Sequence, residues 1–119
     1  MEIITHTSNH QTVAEIKGEA IYLKGIEDGM DLIGNSYYQG YDLVILHARN
    51  ITPAFFDLST QLAGEILQKF VNYRMRVAII GDWTGITSKS LRDFIRESNA
   101  GRQVYFTGSI DHALEKLTQ

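Results

Sequence analysis

Cysteine is absent from the 119 residues, which excludes disulfides and thiolate metal sites. Proline and tryptophan occur once each. With no low-complexity tract and no internal repeat, nothing marks a linker, and a single domain over residues 1–119 is expected. No apolar run approaches the roughly 20 residues of a membrane span, so no membrane partner is expected. Basic residues are in the minority: 11 Lys and Arg face 14 Asp and Glu, for a net charge of −3. With a pI near 5.7, there is no general electrostatic reason to bind nucleic acid. The start, "MEIITHTSNH", lacks the basic end and apolar stretch of a signal peptide, and a cytoplasmic protein is the expectation. The histidines, at 6, 10, 47 and 112, show no metal-ligand spacing such as His-x-x-x-His. They read as scattered surface or loop residues, and neither metal nor other cofactor is expected.

Hydrophobic residues make up 44% of the chain and charged residues 21%, enough apolar material at this length for one real core. "EIITH" and "TVAEI" are short, β-branched and separated by the turn-rich "TSNHQ", which predicts a hairpin. "AIYL" reads as a short third strand or an extended lead-in. In "IEDGMDLIGNSYYQG", Ile26, Met30, Ile33 and Tyr37 recur at helical steps, with Gly40 as a left-handed stop. "YDLVILH" and "RVAIIG" are too short for helices and too continuously apolar for half-exposed strands, as strands covered on both faces read.

Between them a helix is expected from about residue 58 to 72, with Leu62, Ala63, Ile66, Leu67, Phe70 and Val71 inward. "TSKSLRDFIRESNAG" is the next helix, with Leu91, Phe94 and Ile95 inward, a weak Ser90–Asp93 capping box and Gly101 as its stop. "QVYFT" is the last strand and "SIDHALEKL" the last helix, capped by Ser109. The alternation predicts an α/β domain: a mixed sheet with an antiparallel N-terminal hairpin, then parallel strands, and about four helices.

In such sheets ligands gather beyond the carboxyl ends of the parallel strands. That rim should carry His47 and Arg49 after one strand and Asp82 and Trp83 after the next, together with the stretch "FFDLST". Thr52-Pro53 starts a short helical turn through Phe56, and Asp57 then reads as the N-cap of the main helix, with Ser59 and Thr60 at its second and third positions. Capping alone accounts for these three residues. The functional alternative is that Ser59 or Thr60 receives or cradles a phosphate beside exposed N–H groups. "GDWTGITSKS" is not a phosphate loop, because Gly85 is not adjacent to Lys89-Ser90. His47 reads as a hydrogen-bonded structural residue, since no partner nucleophile accompanies it. Trp83 belongs either to a contact surface or to a lid over the core. Arg92 and Arg96 sit one turn apart, as a phosphate-facing pair would, on a helix whose polar groups otherwise suit a solvated face, with Lys89 and Asp93 in pairing register.

The segments "FFDLSTQLAGEILQKFVNYRMRVAIIGDW" and "TSKSLRDFIRESNAGR" resemble a bacterial family, domain of unknown function 4180 (DUF4180), over nearly the whole chain. More distantly, the element order, Asp57-Leu58-Ser59 after an apolar strand, and the closing "SIDHALEKL" are similar to STAS domains, the anti-sigma factor antagonists. That resemblance implies a STAS-like fold and a non-catalytic regulatory or protein-interaction domain, with Ser59 at the position where antagonists are phosphorylated. The chain departs from the pattern in carrying Thr60 and Ala63 where glycines normally follow, with Gly64 displaced. The alternative from the residues themselves is a domain or enzyme that takes a small anionic ligand bearing phosphate or carboxylate, with His47, Arg49, Asp82 and Ser59 as its groups. A third reading is an oligomer that self-associates through the edge of the hairpin.

Overall fold

The chain begins as a hairpin whose turn is fixed by two residues. Asn9 and His10 both take positive φ, 51° and 63°, the two-residue turn whose twist matches the strands it joins. In the computed structural model, which describes all residues from Met1 to Gln119, β1 (Glu2–Ser8) pairs antiparallel with β2 (Gln11–Lys17) in unbroken register from Glu2–Lys17 to Ser8–Gln11. There follow α1 (Ile26–Tyr38), β3 (Leu43–His47), the four-residue α2 (Pro53–Phe56), α3 (Leu62–Asn72), β4 (Arg76–Ile80), α4 (Lys89–Ala100), β5 (Val104–Thr107) and α5 (Ile110–Leu117). Short 3-10 turns lie at Ala48–Asn50 and Leu58–Thr60. The sheet order is β1-β2-β3-β4-β5, with every pair after the first parallel. This is the mixed α/β sheet that the pattern predicts.

Alternation along the central strands divides the core in two. Val44, Leu46, Val77, Ile79, Val104 and Phe106 point to the face covered by α1, α3 and α4, where Ile33, Ile66, Phe70, Phe94 and Ile95 meet them. Leu43, Ile45, Ala78 and Tyr105 point the other way, against Ala113 and Leu117 of α5. Both faces of β3 are therefore buried, and this explains its continuous apolar run. Arg76 fastens the end of α5: its guanidinium donates to the carbonyls of Leu117 (2.8 Å) and Lys116 (3.3 Å) and to the Tyr105 hydroxyl (3.0 Å).

One open reading is decided and three local expectations are corrected. "AIYL" is the extended lead-in and not a third strand: the Tyr22 and Leu23 amides donate to the Asn50 carbonyl, and only an isolated bridge links Leu23 to Ile51. The fully buried Asn50 completes this tie by donating Nδ2 to the carbonyls of Gly18 (2.7 Å) and Ala20 (2.9 Å).

The buried face of α1 is Gly29, Leu32, Ile33 and Ser36, while Ile26 and Tyr37 are exposed. Small residues lead this face because α1 lies close on α3; a Cβ built on Gly29 would stand 3.2 Å from Ile66 Cγ2. The main helix starts at Leu62 and not near residue 58, since Gln61 takes φ 65° between it and the preceding 3-10 turn. Finally, α4 is capped by Ser88, whose Oγ accepts from the Leu91 amide, and not through a box at Ser90. Gly40 (φ 88°) and the Ser109 cap stand as expected.

The close approach of α1 and α3 makes Gly29→Leu destabilising by about 1–3 kcal/mol through overpacking. Gly34→Ala, on the exposed side of the same helix with open space around it, gains up to about 1 kcal/mol from helix propensity. Urea unfolding of the two variants should show midpoints shifted in opposite directions.

Candidate functional site

The carboxyl ends of β3, β4 and β5 lead into loops that are closed by their own side chains. After α2, Asp57 Oδ1 accepts from the Ser59 amide (3.1 Å) and the Ser59 hydroxyl (2.6 Å). Thr60 Oγ1 donates to the carbonyls of Ala54 (2.7 Å) and Asp57 (2.8 Å), and accepts from the Leu62 amide (3.2 Å). Such side-chain bonds compete with helix continuation and hold the 3-10 turn apart from α3. The amides of Thr60 and Gln61 are taken by the carbonyls of Asp57 and Leu58. Ser59 and Thr60 thus do not stand beside free helix N–H groups. Asp57 caps only the 3-10 turn, and Thr52 makes no side-chain cap to α2.

The loop after β4 repeats the device: Asp82 Oδ1 accepts from the Thr84 amide (3.0 Å) and hydroxyl (2.6 Å). In both loops the hydroxyl and then the amide of the residue two places on hold the carboxyl below its usual range. Trp83 is half-buried. Its ring packs edge-on to Phe106 (5.0 Å between centroids) and lies 5.6 Å from Phe56, while Nε1 donates to the Thr107 carbonyl (2.9 Å). It closes the end of the core. Gly81 makes room for it, since a Cβ there would meet Trp83 Cζ2 at 2.9 Å. Arg92 turns back to donate Nη1 to the carbonyls of Ile86 (2.9 Å) and Thr87 (3.0 Å). Arg96 pairs instead with Asp93 at 3.1 Å, so no paired cationic face forms. Lys89 and Asp93 meet at 2.7 Å, as their spacing predicts.

The rim therefore brings some of the candidates together and separates others. Asp57 and Ser59 join Pro53, Phe56, Leu58, Ser88 and Ser90 around an open depression of about 670 Å³. Thr60 lies beside it with its hydroxyl turned inward to the backbone, and Trp83 reaches it through Phe56. Arg49 lies elsewhere, with Lys17, Gly18 and Glu19 at the open end of the hairpin. His47 faces away from the rim.

His47 instead belongs to a buried group on the α5 side of the sheet. Glu15 is only 5% exposed. His6 Nε2 lies 2.8 Å from its Oε1 and His47 Nε2 2.7 Å from its Oε2. A carboxylate can only accept, so each imidazole donates Nε2–H. Burial pushes the Glu15 carboxyl up, but the hydrogen bonds and charges of the two histidines outweigh it, and the net shift is downward from 4.5. His6 is thus a strand residue in a defined pair and not a scattered surface histidine. Sequence reasoning missed Glu15; its one signal is a carboxylate within the otherwise apolar "TVAEI". No group of three or more His, Asp or Glu is placed to hold a metal ion.

Because the Glu15 carboxyl is depressed in the folded state, its contribution to stability is present above pH 4.5 and is lost as pH falls below that value. Glu15→Gln should lower stability at neutral pH by about 1.5–3 kcal/mol, the range for hydrogen bonds to a charged group. It should also flatten the loss of stability that the native chain shows on acidification below pH 4.5, as read from urea unfolding across a pH series.

No curated protein matches the chain. Among solved structures it is similar to a Thermotoga maritima protein proposed to be an anti-sigma factor antagonist, with 14% sequence identity and a TM-score of 0.49, over 98% of this chain and 95% of that one. No helix is long and apolar enough to cross a membrane. The sequence profile of the family described as Domain of unknown function (DUF4180) matches residues 8–117, and the chain belongs to that family.

Proposed function

We propose that this domain is a non-catalytic protein-interaction module of STAS-like type, with its contact surface at the rim depression around Ser59 and its binding turned off by negative charge on that serine. One observation carries the reading. Asp57, Thr60, Asp82, Arg92 and Ser88, the polar side chains gathered at the strand ends, are each bonded to their own loop or helix. One carboxylate oxygen of each aspartate and one nitrogen of Arg92 are thus committed within the loops, and His47, Arg49 and Asp82 do not converge on one cleft. What the rim offers to a partner is shape and partly exposed apolar surface at Pro53, Phe56 and Leu58, beside an exposed hydroxyl.

Ser59 is suited to a charge switch for a local electrostatic reason. A phosphoryl group there carries about −1.5 to −2 charges at neutral pH. It would stand against the ionised Asp57 carboxylate, whose Oδ1 is 2.6 Å from Ser59 Oγ. The amides of Ser59, Thr60, Gln61 and Leu62 are already engaged, so none offsets the repulsion. The turn would open, and Phe56, next to Asp57 in the chain and packed on Trp83, would move with it.

The test uses the lone tryptophan as reporter and a tagged full chain to isolate its complex. Ser59→Asp should shift Trp83 emission and weaken the isolated protein complex at least tenfold, about 1.4 kcal/mol, while Ser59→Ala keeps it. A complex indifferent to Ser59→Asp would remove the proposed control. A thermal-shift screen of phosphate- and carboxylate-bearing metabolites should give no stabilisation. A ligand at 100 times its dissociation constant adds about 2.7 kcal/mol, and such a gain, abolished by Arg49→Ala or Asp82→Ala, would establish the small-ligand reading instead.

A further inference from the structure

The two edges of the sheet are finished differently. At β5, the Phe106 amide donates to Asn99 Oδ1 (2.7 Å), and Asn99 Nδ2 donates back to the Phe106 carbonyl (3.2 Å). A side chain of α4 thus takes the place of a neighbouring strand, on an edge only four residues long. At β1, seven residues long, the backbone bonds to β2 alone. In an antiparallel pair alternate residues direct N–H and C=O away from the partner, so β1 holds a row of unused donors and acceptors. Of the devices that blunt such an edge, lysine, proline and a bulge are absent, and the one carboxylate, Glu2, stands at its very end: β1 reads "EIITHTS", and its register with β2 is unbroken. Its side chains are left half-covered on both faces, Ile3 against the larger core cluster and Ile4 on the opposite side.

We propose that β1 is the seam at which a second copy of this chain docks, antiparallel about a two-fold axis at Thr5, so that two five-stranded sheets become one. An isologous contact requires a surface that complements itself, and this strand does. Pairing about Thr5 uses all seven residues, with Glu2 opposite Ser8, Ile3 opposite Thr7, Ile4 opposite His6 and Thr5 opposite its own copy. The single carboxylate meets a hydroxyl and no like charges face each other, while the centre is filled by β-branched and threonine pairs that favour cross-strand contact. Backbone bonds across the seam satisfy groups that otherwise bond only to water.

Light scattering of the full chain at micromolar concentration should give twice the 13.5 kDa chain mass. Thr5→Lys sets two ammonium groups at the axis and should raise the dimer dissociation constant at least tenfold. Tyr41→Phe, which removes the bond the Thr5 hydroxyl makes within its own chain, should leave the dimer intact. Thr5→Cys provides a second measurement that does not depend on how Thr5→Lys folds. The chain has no other cysteine, and opposed residues across an antiparallel ladder stand about 4.5–5.5 Å apart, within disulfide reach. Mild oxidation should cross-link Thr5→Cys at least tenfold faster than Ser90→Cys at the rim. A native chain that stays at the monomer mass, a dimer untouched by Thr5→Lys, or equal cross-linking at the two positions would each overturn the proposal.

Discussion

The constraint on which this fold turns is that a sheet extended strand by strand in one direction covers only one of its faces. The connections from β2 to β3, β3 to β4 and β4 to β5 each cross over in the same sense, and their helices fall on one side. Yet Leu43, Ile45, Ala78 and Tyr105 are just as apolar on the other side. The chain answers with its last eight residues of helix. α5 lies mainly over β4 and β5, and its end reaches the hairpin turn, where Val13 packs with Ala113 and Leu117 and Asn9 Nδ2 donates to the Thr118 carbonyl (3.2 Å). The remainder of that face must be finished by side chains of the strands themselves, and there Glu15 sits between His6 and His47. A carboxylate on a sheet face would be costly alone; with an imidazole N–H on each oxygen its charge is matched by donors from both neighbouring strands.

The same economy governs the rim. Two loops, after α2 and after β4, use an aspartate to hold the amide and hydroxyl of the residue two places on. Arg92 spends its charge on two carbonyls of the loop before α4, and Trp83 spends its N–H on Thr107. Catalytic sites keep such groups poised toward a vacant position where a reacting atom can sit. Here each is bonded to its own loop, and the outward surface combines the partly exposed Phe56 and Leu58 with the exposed Asp57, Ser59, Ser88 and Ser90. Loops held by such bonds have little ordering entropy left to lose on binding.

Much of the architecture was legible because periodicity reports burial directly. "YDLVILH" and "RVAIIG" are continuous where both faces are covered, and α3 shows one apolar stripe because one side meets the sheet. Three features were not legible, each for its own reason. The inward face of α1 is led by Gly29 and Ser36, whose smallness matters only once α3 lies against them, so the larger Ile26 and Tyr37 misdirect the pattern. The start of α3 is decided by Thr60 and Asp57 bonding locally to backbone, a competition that apolar spacing does not register. Glu15 could be noticed as a charge among apolar residues, but its partners come from strands on either side, and their meeting depends on register. Of the rim, Asp57 and Ser59 stand together in one local turn, whereas His47 is the hydrogen-bonded structural residue expected but does not join them, because a strand's last residue can face either side of the sheet.

The relation between rim and hairpin edge follows from strand order. The Ser59 depression is lined from the loops that follow β3 and β4, and β1 is an edge of the sheet. Two or three strand spacings of about 4.8 Å separate them, about 10–14 Å. A copy seated on β1 would therefore leave both rims open and would fix them to one continuous sheet. Two rigidly held copies of a weak contact surface bind a partner with two matching sites far more tightly than either alone, by an effective concentration set by their fixed spacing. The gain requires no new contact at the rim. It would also make the proposed switch at Ser59 steeper, since charge on one copy would remove the second attachment as well as weaken the first.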